Sequence, residues 1–233
     1  MRKINAIAQK ELLALFCSPI AYVILFLSTV IFNVFFFMII DQNREAQLKD
    51  VFTVVEFMLV FFVPIFTMKI FSEERASGTL EFLLTAPVKD IEIVLGKFLG
   101  LSIFLTCVLA PTLIYYFILS RFSDFDRLAA LWGYCGLWLE GYLFIAIGIF
   151  LSSLCRSQIV AAMSSYMVLF LLYFTLSFKT YTQGMWSSVI GYAAVMTHTE
   201  NFFTGIFLLS DLVYFVSGIL FFLLLTKLVL KFR

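Results

Sequence analysis

Long apolar blocks without charge are the feature that most constrains this chain. Residues 20–40, 98–119 and 157–178 contain no Asp, Glu, Lys or Arg. A helix needs about 20 apolar residues to cross a hydrocarbon core about 30 Å thick. Six segments approach this requirement: 20–40, 51–71, 93–119, 130–151, 158–178 and 211–230. The pattern predicts an all-α integral membrane protein with six transmembrane helices.

Composition excludes most other classes of protein. Charged residues make up 13% of the chain, against about 25% in soluble domains. The formal net charge of +1 provides no basic surface for a nucleic acid. The apolar blocks lack the two-residue alternation of barrel strands. Four widely spaced cysteines and a single histidine indicate neither a disulfide framework nor a metal site.

The distribution of Lys and Arg predicts the orientation in the membrane. If both termini lie on one side, eleven of the 16 Lys and Arg residues lie on that side with them. Cytoplasmic segments carry such an excess of positive charge. Both termini are therefore predicted to be cytoplasmic, and the placement of both on one side is consistent with an even number of spans.

Residues 1–19 are predicted to form an amphipathic helix at the membrane interface. Apolar residues recur at steps of three and four: Ile4, Ile7, Ala8, Leu12 and Leu15. Pro19 is expected to end or bend this helix. The alternative is a positively charged flank that only orients the first span.

The connection between the second and third spans, residues 72–92, is longer than a simple link requires. Gly78 is predicted to end the helix that leaves the second span, because glycine accepts the left-handed conformation found after helix ends. Thr79 can then cap a short helix that Pro87 ends, while Asp90 caps the third span.

The short helix in this connection would carry a narrow leucine face, formed by Leu80, Leu83 and Leu84. That face suits docking into a groove of a soluble partner. The alternative is that the leucines lie in lipid. The second span before this connection is expected to be broken at Pro64.

The stretch 180–210 is too polar to span a membrane and too apolar for a free loop. It contains one acidic residue, Glu200, and neither Lys nor Arg, but many aromatic residues and glycines. Trp and Tyr favour the membrane interface. Short helices at the interface, or dipping into it, are predicted here.

Two carboxyl groups interrupt the spans and are candidates for an intramembrane polar site. Glu56 lies nearer the outer end of its span, where it could reach water. Glu140 lies near mid-span, where a charge is costly and often functional. Its alternatives are a contact for substrate, a proton-coupled gate, or a structural hydrogen bond to Ser, Thr or Tyr on a neighbouring helix.

Two further polar residues lie outside the spans. His198 is predicted to form a cap or an internal hydrogen bond, because a metal site needs more ligands than one histidine offers. Arg156 lies in a short cytoplasmic turn between the fourth and fifth spans, where it anchors orientation or contacts a partner.

The connection after the second span resembles a family motif. The residues that carry the resemblance are Glu73, Glu74, Arg75, Gly78, Thr79, Glu81, Leu83, Leu84 and Pro87. They match, without a gap, the pattern that follows the second membrane helix in ABC-2 type (type V exporter-like) transporter permeases. The N-terminal Lys10-Glu11 and the segment from His198 to Phe215 resemble the gliding-motility and nitrous-oxide-reductase-maturation branch of that family.

This resemblance implies a single ABC-2 type transmembrane domain over 1–233, with an interface helix at 1–19 and a re-entrant segment at 180–210. It makes 72–92 a coupling helix that docks into a separate ATPase subunit, with Arg156 as a second contact. It also implies export across the inner membrane of a bacterium, a second permease chain, membrane lipid around the spans and room for an accessory extracytoplasmic subunit.

The chain itself is predicted not to be an enzyme. It has no G-x-x-x-x-G-K-[ST] loop to hold phosphates, so ATP and Mg²⁺ would bind to the partner ATPase. Ala161, Ala162, Ser164, Ser165 and the pair Gly96 and Gly100 allow close helix packing. They serve either the contact with the second permease or packing within one chain.

Two other functions stay open at this point. An ion-gradient-driven transporter or a channel would use the intramembrane Glu140. A membrane anchor could assemble a motility or maturation complex without moving a solute.

Overall fold

A computed structural model describes residues 2–43, 48–79, 88–122, 126–179 and 185–231. The described residues form helices joined by short connections, and the segment Ala110–Thr112 is a single 3₁₀ turn. The helices are α1 (Arg2–Phe16), α2 (Pro19–Asn43), α3 (Lys49–Thr67), α4 (Lys69–Ala76), α5 (Asp90–Leu109), α6 (Leu113–Phe122), α7 (Arg127–Leu154), α8 (Gln158–Lys179), α9 (Met185–Ala193), α10 (Val195–Phe203) and α11 (Leu209–Lys231).

The six predicted spans are confirmed as helices. Within the described ranges, six helical stretches are long and apolar enough to cross a membrane, and each contains one predicted segment. They are Pro19–Asp41, Lys49–Ala76, Asp90–Arg121, Arg127–Leu154, Gln158–Phe178 and Leu209–Lys231. The outer faces of α2, α8 and α11 expose large apolar side chains such as Phe26, Met167 and Phe221, as lipid contact requires.

The second span is not broken at Pro64, contrary to the sequence-based expectation. Pro64 lies inside α3, and the interruption comes at Met68, between α3 and α4. Met68 keeps right-handed helical angles, with φ −56° and ψ −33°. Proline disturbs the helix on its N-terminal side, where it removes one hydrogen bond. Because Met68 keeps helical angles, the chain continues as a nearly unbroken helical stretch from Lys49 to Ala76.

Helix α7 lies at the centre of the bundle and runs parallel to α3. At one end, Gly133 of α7 meets the ring of Phe52 of α3. At the other end, Gly148 meets Thr67. A β-carbon at either glycine would overlap these neighbours, so the absence of a side chain allows the two helices to approach closely.

Helix α1 packs on α5 through the apolar face predicted from its periodicity. Gly96 of α5 lies under Ile7, and Gly100 lies under the backbone of Ala8. The face predicted for the membrane surface thus meets protein. Gly96 and Gly100 serve packing within the chain, and Ala161 on α8 is also fully buried. Helix α1 ends at Phe16, and Pro19 begins α2, where its missing N–H costs nothing.

The stretch after the fifth span contains two short helices, as predicted. They are α9 and α10, with Ala194 between them. Helix α10 packs against the central α7, and the side chain of Phe202 lies on Gly136. The positive φ of Gly205, 81°, reverses the chain after α10 and leads it toward the last span.

Candidate functional site

A buried lysine joins three helices at one end of the bundle. Lys97 of α5 is fully buried, with 0% of its surface exposed. Its Nζ lies 2.7 Å from Oε1 of Glu11 on α1 and 2.9 Å from Oε1 of Glu74 on α4. The Nζ also donates a hydrogen bond to the backbone oxygen of Ile70 at 3.0 Å. These three acceptors match the three donors of an ammonium group.

Lys97, Glu11, Glu74 and Lys10 are called the Lys97 cluster below. Two further contacts complete it. The Nζ of Lys97 lies 5.0 Å from the centre of the Phe71 ring, within the range of a cation–π interaction. Lys10 approaches Glu74 at 3.6 Å from the exposed side. The buried cation is thus surrounded by two carboxylates, and a second cation at the surface balances them.

Helix α4 is fixed on its other side to the end of α7. The Oγ of Ser152 accepts hydrogen bonds from the backbone N–H groups of Phe71 and Ser72, at 3.1 and 3.2 Å. The Arg75 Nη1 donates to the backbone oxygen of Leu154 at 3.1 Å. Polar contacts therefore connect α4 to α5 and, through Lys97, to α1 on one side, and to α7 on the other.

The structure confirms Gly78 as the end of the helix that leaves the second span. Helix α4 ends at Ala76, and Gly78 has a φ of 72°. The Thr79 hydroxyl lies 2.8 Å from the Ser77 Oγ and 3.3 Å from the Glu74 backbone oxygen, so it faces back toward α4. The remaining motif residues lie outside the described part of the chain: Glu81, Leu83, Leu84 and Pro87.

Asp90 was expected to cap the third span, but it does not. It is the first residue of α5, and Lys89 occupies the capping position. The Glu92 carboxylate accepts a hydrogen bond from the Lys89 backbone N–H at 3.0 Å. A glutamate three residues after the cap commonly makes this reciprocal bond.

Several of the site residues predicted in the N-terminal helix and in the connection after the second span line one groove. It has a volume of about 460 Å³ and lies between α1, the start of α2 and the junction of α3 with α4. The predicted residues on its wall are Lys10, Glu11, Glu73, Glu74 and Thr79. Arg156 is exposed in the turn after α7, two residues beyond the Leu154 carbonyl that Arg75 contacts.

At the other end of the bundle, three consecutive residues of α10 contact three side chains on two spans. His198 lies 2.7 Å from Asp211 Oδ1 at the start of α11. Thr199 donates to Glu56 on α3 at 2.8 Å. Glu200 forms an ion pair of 3.0 Å with Lys49 at the start of α3. Helix α10 therefore joins the second and last spans.

The internal hydrogen bond predicted for His198 is confirmed. Its second ring nitrogen, Nε2, lies 2.9 Å from the backbone oxygen of Tyr192, and its ring stacks on Tyr214 at 4.0 Å. Asn201 donates to the other Asp211 oxygen at 2.9 Å. Both ring nitrogens face acceptors, so this histidine binds α9, α10 and α11 together.

The two intramembrane glutamates differ from their predictions. Glu56 was expected to reach water, but it is 1% exposed and held by Thr199, because α10 covers this part of α3. Of the alternatives for Glu140, the structural hydrogen bond to a neighbouring helix is not found among the described residues. Both of its carboxyl oxygens lack a hydrogen-bond partner among the described residues, and the side chain is 0% exposed.

The Lys97 cluster was not predicted from the sequence. Lys97 follows Gly96 at the start of a span, so it resembled an ordinary positive flank. One signal could have revealed its partner, because Glu11 falls between Ala8 and Leu12 on the apolar face of α1. A carboxylate buried on such a face is stabilised by a cation or by hydrogen-bond donors on the opposing helix.

These features define a multi-pass α-helical membrane protein with a polar cluster beside the connection after its second span. Residues 5–185 match the model of a family described as ABC-2 family transporter protein. The match covers more than half of the 233 residues, so the chain belongs to this family. A comparison with curated protein sequences finds no match. Membership implies a transporter permease that associates with ABC ATPase partners.

Proposed function

We propose that this chain is the membrane subunit of an ATP-driven exporter, with both termini in the cytoplasm of a bacterium. A separate ATPase binds and hydrolyses ATP with Mg²⁺, and it docks on the coupling segment 72–92. Arg156 makes the second contact. The Lys97 cluster carries the argument, because it connects the start of this segment to helices on both sides.

The proposed mechanism is rigid-body coupling. Closure of the ATPase subunits displaces the coupling segment and, with it, α4. Lys97 passes this displacement to α5 and α1, while Arg75 and Ser152 pass it to α7. Short charge-assisted bonds transmit a displacement because stretching them in a buried site is costly. The second and third spans then tilt against their neighbours.

The complete transporter in this proposal contains two permease chains, either identical or related. The exposed apolar faces of α2 and α8 leave room for such a contact in the membrane. The narrower assignment to the gliding-motility and nitrous-oxide-reductase-maturation branch rests on the resemblance of Lys10-Glu11 and the His198 region. An accessory extracytoplasmic subunit would meet α9 and α10.

Co-purification with the ATPase tests the docking proposal. The variant Leu84→Asp places a charge on the leucine face of the coupling segment. We expect it to lose most of the ATPase that co-purifies with the wild-type chain, because an unpaired charge in an apolar groove is strongly unfavourable. Quantitative mass spectrometry of the purified complex gives the ratio of ATPase to permease.

Leu128→Asp is the matched control for this experiment. Leu128 is exposed and lies at the start of α7, at the end of the bundle opposite to α4. The control variant should retain the ATPase. If Leu84→Asp retains it equally well, the coupling segment is not the docking site. If no ATPase accompanies the wild-type chain, an ion-gradient-driven transporter using Glu140 becomes the better proposal.

A further inference from the structure

Glu56 and Glu140 face each other inside the membrane-spanning bundle. Glu56 lies four residues after Phe52, and Glu140 lies seven residues after Gly133. Phe52 and Gly133 are in contact where α3 and α7 run in parallel. Steps of four and seven residues return to the same face of a helix. Glu56 therefore lies on the face of α3 that meets α7, and Glu140 lies on the face of α7 that meets α3. Helix α10 meets both helices here, because Thr199 binds Glu56 and Phe202 packs on Gly136, about one turn before Glu140.

No cation balances this acidic pair within the described ranges. Neither carboxyl forms an ion pair there, and the one hydrogen bond to the pair comes from the Thr199 hydroxyl at 2.8 Å. Among the described residues, both oxygens of Glu140 lack a donor. The Lys97 cluster shows the opposite arrangement, because there a lysine meets both carboxylates.

Two adjacent ionised carboxylates without a counter-ion are very costly in a bundle interior. A positive charge at the pair removes most of this cost. The pair is closed, with Glu56 1% and Glu140 0% exposed. A proton requires neither a cavity nor further ligands, so it fits this closed site.

We propose that Glu56 and Glu140 form an intramembrane proton-binding site, which α10 closes through Thr199. Phe202 of α10 packs on Gly136, one helical turn before Glu140, and covers the pair from that end. Separation of α10 from α3 would break the Thr199–Glu56 bond and open the pair to solvent. The site then exchanges its proton when α10 moves.

The other groups around the pair leave the proton on these carboxyls. Glu200 of α10 follows Thr199 directly, and its negative charge is paired with Lys49 at 3.0 Å. Tyr173 of α8 packs on Phe57, next to Glu56, and Tyr214 of α11 stacks on His198, next to Thr199, so neither neighbour brings a cation to the pair. The helix α5 presents the apolar Leu105 beside Gly141.

Infrared spectroscopy tests the proposal directly on the chain reconstituted in lipid with the proteins that co-purify with it. A protonated carboxylic acid has a carbonyl-stretching band separate from those of carboxylates and amides. At neutral pH the wild type should show this band, with a shift in D₂O. The double variant Glu56→Gln/Glu140→Gln should lose it, while the control Glu73→Gln, which changes an exposed carboxylate on α4, should retain it.

A wild-type spectrum without the band overturns the proposal, as does a band that persists unchanged in the double variant. Should the double variant fail to fold, Thr199→Val takes its place. It removes the hydroxyl that donates to Glu56 and keeps both carboxyls, so it should shift the band. An unchanged band position would contradict the proposal. The measurement does not require an ATPase, so its outcome is independent of the docking experiment.

Discussion

Two pairs of buried carboxyl groups in the bundle, Glu11 with Glu74 and Glu56 with Glu140, have opposite surroundings. Beside α4, Glu11 and Glu74 share the ammonium group of Lys97 at 2.7 and 2.9 Å. Beside α10, Glu56 has one neutral donor, and Glu140 has no hydrogen-bond partner among the described residues. The first arrangement is an ion network in which a cation meets each carboxylate, although Glu74 Oε2 has no hydrogen-bond partner among the described residues. The second leaves two buried carboxyls without a cation in the described part of the chain.

This contrast separates structural charges from candidates for function. A charge-balanced network holds helices in one geometry, and breaking it releases them. An unsatisfied buried carboxyl adds no rigidity and lowers stability, so a protein retains it for another reason. The Lys97 cluster is accordingly assigned to coupling, and the acidic pair to proton binding.

Lys97→Met should produce the largest change in stability. It leaves the carboxylates of Glu11 and Glu74 buried without their cation, which costs about 3–5 kcal/mol. Thermal unfolding in detergent should show a large drop in midpoint. Lys10→Met is the control, because Lys10 is mostly exposed and contacts Glu74 at 3.6 Å. Equal effects from the two variants would refute the buried network.

His198→Phe should have the next largest effect, at the other end of the bundle. It keeps an aromatic ring beside Tyr214 but removes the bonds to Asp211 and to the Tyr192 backbone oxygen. Two lost hydrogen bonds correspond to a destabilisation of about 2 kcal/mol. Hydrogen exchange should increase in α9 and α10. Unchanged exchange there would mean that the histidine does not hold these helices.

Glu140→Met should have a smaller effect with the opposite sign. Replacing an unpartnered buried carboxyl with an apolar side chain of similar length should raise stability by about 1–2 kcal/mol. The same unfolding assay measures this gain. A loss as large as that of Lys97→Met would show that Glu140 has a strong partner and would remove the contrast between the two pairs.

Lys49→Ala should change stability least. The ion pair with Glu200 has side chains that are 38% and 56% exposed, and exposed pairs contribute only about 0.2–1 kcal/mol. High salt should abolish even this difference. A large effect that survives in high salt would mean that the pair holds α10 on α3 more strongly than a surface contact can.

Much of the fold was predictable because apolar length is a direct signal in membrane proteins. The six spans, the short helices in 180–210 and the helix end at Gly78 follow from hydropathy and from the properties of glycine. Pro64 was misjudged, because the position of a helix interruption depends on packing around it. The Ser152 hydroxyl supports the backbone of Phe71 and Ser72 near that interruption.

The polar contacts were harder to predict because they join residues far apart in sequence. Glu11 and Lys97 are 86 positions apart, and Glu56 and Thr199 are 143 positions apart. Periodicity shows that Glu11 lies on a buried face, but it does not identify the helix opposite. The isolation of Glu140 is likewise a property of its neighbours, which a single sequence does not reveal.

The central claim is that a separate ATPase binds the segment after α4. Cysteine cross-linking tests it most directly, in a chain whose four native cysteines are replaced by serine. Ser77→Cys places a thiol on the exposed end of α4, and Ser188→Cys is the control on α9. The account predicts a cross-link from position 77 to the ATPase that changes with nucleotide, and none from position 188. Absence of a cross-link from position 77 in every nucleotide state, with that thiol accessible only from outside the cell, would contradict it.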